Sequence, residues 1–176
     1  MPRVSEPPRS PYPPDPAEDA QPVTEELGDL TDAQVLELDG AGRRLTGLQL
    51  RRVELRTCRL TGAELAEATL TDVVFQDCRL DLAGLRHATL TRVRFSDCRL
   101  EELELLGATL EDVVFERCAL RSANLSSARC RRVELRDCDL AGLVGTEALR
   151  GVRMTWSDVL ANAGTFAAAL DIEIVD

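Results

Sequence analysis

Thr69–Ala88 reads TLTDVVFQDCRLDLAGLRHA, and the same text returns as TLTRVRFSDCRLEELELLGA at Thr89–Ala108 and TLEDVVFERCALRSANLSSA at Thr109–Ala128. Looser copies flank these three: QLRRVELRTCRLTGAELAEA at Gln49–Ala68 and RCRRVELRDCDLAGLVGTEA at Arg129–Ala148. The long period is twenty residues, and inside it lies a period of five. Every fifth residue from Leu50 to Leu140 is Leu or Phe, except Cys130. Two residues before each stands Ala, Val, Cys or Leu, from Leu48 to Cys138. A repeat this regular must be read before anything else.

A helix cannot bury such a pattern on one face, because five residues leave a net rotation of roughly 140°. One long strand fails as well, since a step of five alternates faces. A chain that turns a corner every five residues succeeds: each side points its central Leu or Phe, and the residue two before it, inward. Four sides close a twenty-residue coil, and coils then stack at the ~4.8 Å spacing of paired strands. The fold class is therefore an all-β solenoid, a quadrilateral parallel β-helix. A leucine-rich repeat also runs to about twenty residues but needs uneven Leu spacing, so even spacing by five favours four equivalent sides.

Ala63-Glu64-Leu65, Ala83-Gly84-Leu85 and Ala123-Asn124-Leu125 resemble the A-(D/N)-L-x-x unit of pentapeptide-repeat proteins. The third matches that unit fully; the Val-x-Phe and Cys-x-Leu units keep its small-x-large rule. The resemblance implies a right-handed quadrilateral coil. Its relatives include quinolone-resistance proteins that bind DNA gyrase by imitating DNA. Two functions follow: a rigid scaffold for an unnamed protein partner, which a rod with varied outward columns supplies, or, as the resemblance implies, a DNA mimic acting on a type II topoisomerase.

The core is expected at Leu55, Phe75, Phe95, Phe115 and Leu135, with Cys58, Cys78, Cys98, Cys118 and Cys138 as a second inward column. Small apolar filler is the plain reading of those cysteines, although stacked Cα atoms ~4.8 Å apart lie within disulfide range. No close C-x-x-C pair suggests zinc. The start of the chain has no apolar leader and no run approaches a membrane span, so a reducing cytoplasm is expected.

The flanks break the period. Residues 1–22 carry all eight prolines and read as a disordered acidic tail, either a plain solvated tail or a tether. Residues 23–48 keep the phase in part, with Gly40 and Arg43 out of pattern, and predict an irregular N-terminal coil. Residues 49–148 form five coils. Residues 149–176 predict a cap, with a helix over about 156–170 started by Thr155 or Ser157, then a short strand over 172–175. Trp156, Phe166 and Ile174 either cover the last coil or pair two chains, leaving a monomer or a homodimer.

No catalytic constellation is present in the sequence: the single His87 should point outward, and no serine has a partner base. No cofactor or metal site is expected. The formal charge is -10, but residues 49–148 hold fifteen Arg and seventeen Asp or Glu, so the repeats are nearly neutral. Direct nucleic-acid binding is not expected. The binding candidate is the acidic belt Glu101, Glu102, Glu104, Glu111, Asp112 and Glu116, which runs without an Arg. Opposite in sign is an outward column of Arg59, Arg79 and Arg99.

Overall fold

The computed structural model describes residues 7–9, 21–23 and 27–175. Their backbone is a parallel solenoid of about six turns. The strands are β1 (Gln21–Val23), β2 (Leu30–Leu36), β3 (Gln49–Arg56), β4 (Thr69–Gln76), β5 (Thr89–Ser96), β6 (Thr109–Glu116), β7 (Arg129–Arg131), β8 (Glu134–Arg136) and β9 (Arg153–Met154). They pair in the order β1-β2-β3-β4-β5-β6-β8-β9, with β7 beside β6. Register advances by one repeat: Leu50 lies over Leu70, Leu70 over Leu90 and Leu90 over Leu110. The eight-residue strands cover two sides of each coil. Single bridges, such as Arg59 to Arg79 and Glu64 to Gly84, mark the other two.

The corners explain why five residues make a side. The residue two beyond each central position has positive φ, from Asp32 (φ 52) to Gly142 (φ 71). Two corners per coil close a four-residue turn, as where Ala63 N–H donates to Leu60 O at 3.0 Å and Ala68 N–H to Leu65 O at 3.2 Å. The other two hold Asp, Arg, Glu or Thr, as at Arg52 and Asp77. A left-handed residue other than Gly costs roughly 1–2 kcal/mol, so these corners need stabilisation from between the coils.

Inside, like residues stack on like. Phe75, Phe95 and Phe115 lie with ring centroids 4.8 and 5.0 Å apart and planes within 5° of parallel. Leu55 and Leu135 continue that column, and all five side chains are buried. Cys58, Cys78, Cys98, Cys118 and Cys138 form the second column as buried free thiols. Each thiol faces backbone carbonyls, as Cys78 Sγ does Leu55 O at 3.4 Å and Gln76 O at 3.2 Å. The neighbouring thiol and burial together push the Cys58, Cys98 and Cys138 thiols well up. Cys130, at a central position, leaves a small apolar void of about 10 Å³ beside Phe115, Leu125 and Val133.

Four expectations about the flanks change. Within the expected irregular coil of residues 23–48, the described residues 29–48 are regular: Asp32, Glu37, Gly42 and Gly47 make regular corners, so 29–48 is a full coil. Gly40 breaks the apolar pattern because a Cβ there would lie 2.9 Å from the Leu60 side chain. The tail is not featureless to residue 22, since Gln21–Val23 pairs with Ala33–Val35. Arg9 N–H also donates to Asp112 Oδ1 at 3.0 Å; the rest of the Pro-rich segment, residues 1–6 and 10–20, lies outside the described residues.

At the other end, the expected single helix is two, α1 (Trp156–Ala161) and α2 (Ala163–Ala169). Thr155 caps α1 in a reciprocal box with Asp158. The break falls at Asn162 because its side chain serves the last coil: Oδ1 accepts Leu140 N–H at 2.8 Å and Nδ2 donates to Cys138 O at 3.0 Å. Asp158 Oδ1 accepts Asp137 N–H at 2.8 Å, and Thr165 Oγ1 donates to Leu140 O at 3.1 Å. Side chains thus replace the missing next coil, which an open sheet edge requires. Residues 172–175 form no strand.

Candidate interaction surface

With the core filled, outward columns are what the rod presents. The most ordered lies on a corner and alternates in sign: Asp32, Arg52, Asp72, Arg92, Asp112, Arg132, one residue per coil. Each Arg grips the Asp one coil before it through Nε and a terminal nitrogen. The contacts are 2.6 and 2.7 Å for Arg92 on Asp72, and 2.6 and 2.7 Å for Arg132 on Asp112; Arg52 holds Asp32 in the same way. Such two-pronged charged bonds are the strong ones. The guanidinium groups of Arg52 and Arg132 hold the Asp32 and Asp112 carboxyls below the usual carboxylate range. This column stabilises the left-handed corners that carry it. The signal for it was present in the sequence, as a sign alternation at twenty-residue steps.

The acidic belt does not stand free. Glu101 lies 3.7 Å from Arg99; Glu104 is 3.6 Å from Arg86 and accepts Asn124 Nδ2 at 3.2 Å. Glu111 meets Arg132 at 2.7 Å and Arg131 at 3.2 Å; Glu116 meets Arg117 at 2.8 Å and Arg94 at 3.6 Å. Asp112 is 2% exposed beneath Arg132 and Arg9. Glu102, on an exposed left-handed corner, has no ion-pair partner among the described residues. The run itself lacks Arg, but Arg99 and Arg117 at its ends and arginines of neighbouring coils supply it.

Arg59, Arg79 and Arg99 do stack on one side. Arg59 meets Asp39 at 3.5 Å, and Arg99 meets Asp81 at 3.6 Å as well as Glu101. Arg79, between them, has no ion-pair partner among the described residues. His87 lies over Gly107, where an added Cβ would sit 2.6 Å from Nδ1, and no acid among the described residues is bonded to it. No group of His, Cys, Asp and Glu able to hold a metal occurs among the described residues.

At the cap, Trp156 is 74% and Ile174 69% exposed, while Phe166 is half-buried against the last coil. Trp156 and Ile174 therefore do not cover the core. With Leu160, Leu170 and Ile172 they leave an apolar surface uncovered.

The model of the pentapeptide repeat region matches residues 48–125 and 84–144, together more than half of the 176-residue chain. The chain belongs to the pentapeptide repeat family. Among solved structures of that family, HetL, involved in heterocyst differentiation regulation in the cyanobacterium Nostoc, is 18% identical. The match covers 77% of this chain and 84% of HetL with a TM-score of 0.47. QnrB1, a plasmid-mediated fluoroquinolone resistance protein, is 16% identical over 89% of this chain and 98% of its own, with a TM-score of 0.37. A pentapeptide repeat protein of the Arabidopsis thaliana thylakoid lumen is 17% identical over 80% and 75%, with a TM-score of 0.38. Likenesses this distant carry no argument about partners. No curated protein matches the sequence.

Proposed function

We propose that this pentapeptide repeat protein is a non-enzymatic scaffold of the cytoplasm, a stiff rod whose outward side chains engage a protein partner. The observation that carries this is the locked surface. Arg–carboxylate pairs between successive coils fix the outward columns in place, so a partner meets a preordered face and little side-chain entropy is lost on docking. Arg79 and Glu102, on neighbouring outward columns and without an ion-pair partner among the described residues, are the charges placed at the contact. Trp156, Leu160 and Ile174 offer a second contact, through which two copies would associate as a homodimer.

The alternative is a DNA mimic that acts on DNA gyrase. The overall charge of -10 favours it. Against it, duplex DNA carries a charge every ~1.7 Å, whereas five of the six belt acids are matched by Arg within the molecule. Imitation of phosphate needs uncompensated acid, so the scaffold reading stands first.

Photo-cross-linking tests it. A photoreactive residue at position 79 or 102 of the full chain should yield the same cross-linked protein, and a control at position 43 should not. Cross-links that are equal at all three positions, or absent at all three, would contradict a face-specific scaffold.

A further inference from the structure

The last coil is closed unevenly. Its second side is paired with β9, and its third is satisfied by Asp158, Asn162 and Thr165. The fourth side, Leu143–Gly145, has nothing laid against it. One coil below, Ser122 N–H donates to Ala141 O at 2.8 Å, Leu125 N–H donates to Val144 O at 2.8 Å, and Ala123 O accepts Val144 N–H at 2.9 Å. The equivalent groups one step up are Gly142 N–H, Gly145 N–H and Leu143 O. None of the three has a partner among the described residues.

These groups face a groove of about 660 Å³ between the last coil and the cap helices. That volume falls within the ~300–1,000 Å³ of ordinary ligand sites. Its far wall is made by Ala161, Gly164, Thr165, Ala168 and Ala169, short side chains that leave the edge open. Asp139, the charged residue lining it, is already held by Arg121. The central position of this side is Leu in the coils below (Leu65, Leu85, Leu105, Leu125), but here it is Gly145. A Cβ on Gly145 would lie 2.3 Å from Ser126 N, so no side chain fits.

We propose that this edge binds an extended, uncharged segment of a partner protein, about four residues long, running parallel to the coil as a seventh strand. The proposal rests on the scaffold reading and gives it a site. The ligand class follows from the three unpaired groups. Two N–H donors flanking one C=O, at the spacing a neighbouring coil satisfies, are the complement of extended main chain. Outward from the new strand, Val144, 51% exposed, would lie beside the segment's own outward side chain. That position therefore favours an apolar or β-branched residue. The groove walls carry no free charge to compensate an ionised side chain.

The test uses the full-length protein, labelled with ¹⁵N, and a capped, uncharged peptide of residues 122–127, SANLSS, carrying Asn124→Val, from the equivalent side one coil below. Titration to millimolar peptide should shift the Gly142 and Gly145 amide signals together and slow their hydrogen exchange. N-methylation of the peptide's central amide should weaken binding more than tenfold. Gly164→Phe should do the same by filling the groove, since a Cβ there meets nothing within 4 Å and the helix tolerates it. Silent Gly142 and Gly145 signals would overturn the site; cross-linking at position 79 or 102 would then leave the scaffold reading standing alone. Slow exchange of both amides before any peptide is added would also overturn it, because the edge would already be occupied. Shifts produced by raising protein concentration alone would assign the edge to a second copy instead of a partner.

Discussion

Arg132 grips Asp112 from one coil above it, with Nε 2.6 Å from one carboxylate oxygen and a terminal nitrogen 2.7 Å from the other. Asp112 is buried and also receives Arg9 N–H. Removing the carboxylate charge leaves the guanidinium facing an amide. Asp112→Asn should therefore lower stability by about 2 kcal/mol. Urea unfolding of Asp112→Asn, Arg132→Gln and the double variant would check this. The double variant should fall short of the summed single losses, because both changes break the same contact.

Acid should loosen the same columns. Arg52, Arg117 and Arg132 hold Asp32, Asp97 and Asp112 below the ordinary range, and the Ala141 N–H, followed by Arg121, does so for Asp139. A carboxyl whose folded pKa is lowered contributes stability that is fully present above its unfolded value, ~3.9. That contribution is lost as pH falls through the lowered folded values. The melting temperature should stay level from neutral pH to about pH 5 and then drop below about pH 4. A drop centred near pH 6 would point to a different group.

Cys130 interrupts a run of Leu and Phe and borders the void in the last coils. Cys130→Leu restores the pattern seen at Leu110, directly beneath it. The variant should gain about 1 kcal/mol, the scale of a filled methyl-sized void. Thermal unfolding would show it. A loss of stability would mean that the local chain cannot take up the larger side chain.

The thiols should divide into one and five. Cys130 is half-buried, with burial pushing its thiol up to about 11, whereas the stacked column is fully enclosed. A disulfide-exchange reagent at pH 8 should modify one thiol per chain slowly, and the other five after denaturation. Rapid reaction of all six in the native protein would contradict the inward column.

The cap makes its contribution through polar side chains. Asn162→Ala removes the acceptor for Leu140 N–H and the donor to Cys138 O, both at a buried edge. The expected cost is about 1–3 kcal/mol for groups left unsatisfied. Hydrogen exchange at Leu140 should quicken more than at Leu100, deep in the stack.

The coils are legible in the sequence because each side needs its own inward pair, which writes a period of five that no helix or single strand can use. Leu50 to Leu140 carries it almost without a break. The Asp32–Arg132 column is written as plainly, but at corner positions, where attention to apolar residues does not reach. The acidic run from Glu101 to Glu116 reads as free acid along the chain because its arginines, such as Arg86 and Arg132, belong to other coils. The break at Asn162 has no local signal: helical spacing continues through it, and what stops the helix is a bond to Leu140. Ile172–Val175 errs in the other direction. Its alternation is sound as a strand pattern, but the segment pairs with no strand among the described residues.

The central claim is that the acidic belt of this rod is matched by its own arginines and serves a protein scaffold, not an imitation of DNA. A supercoiling assay with purified DNA gyrase, run with and without a quinolone over rising protein concentration, tests this most directly. The account predicts unchanged supercoiling and unchanged drug sensitivity into the micromolar range. Inhibition or drug protection that weakens with salt, and with Glu101→Gln and Glu102→Gln, would contradict it.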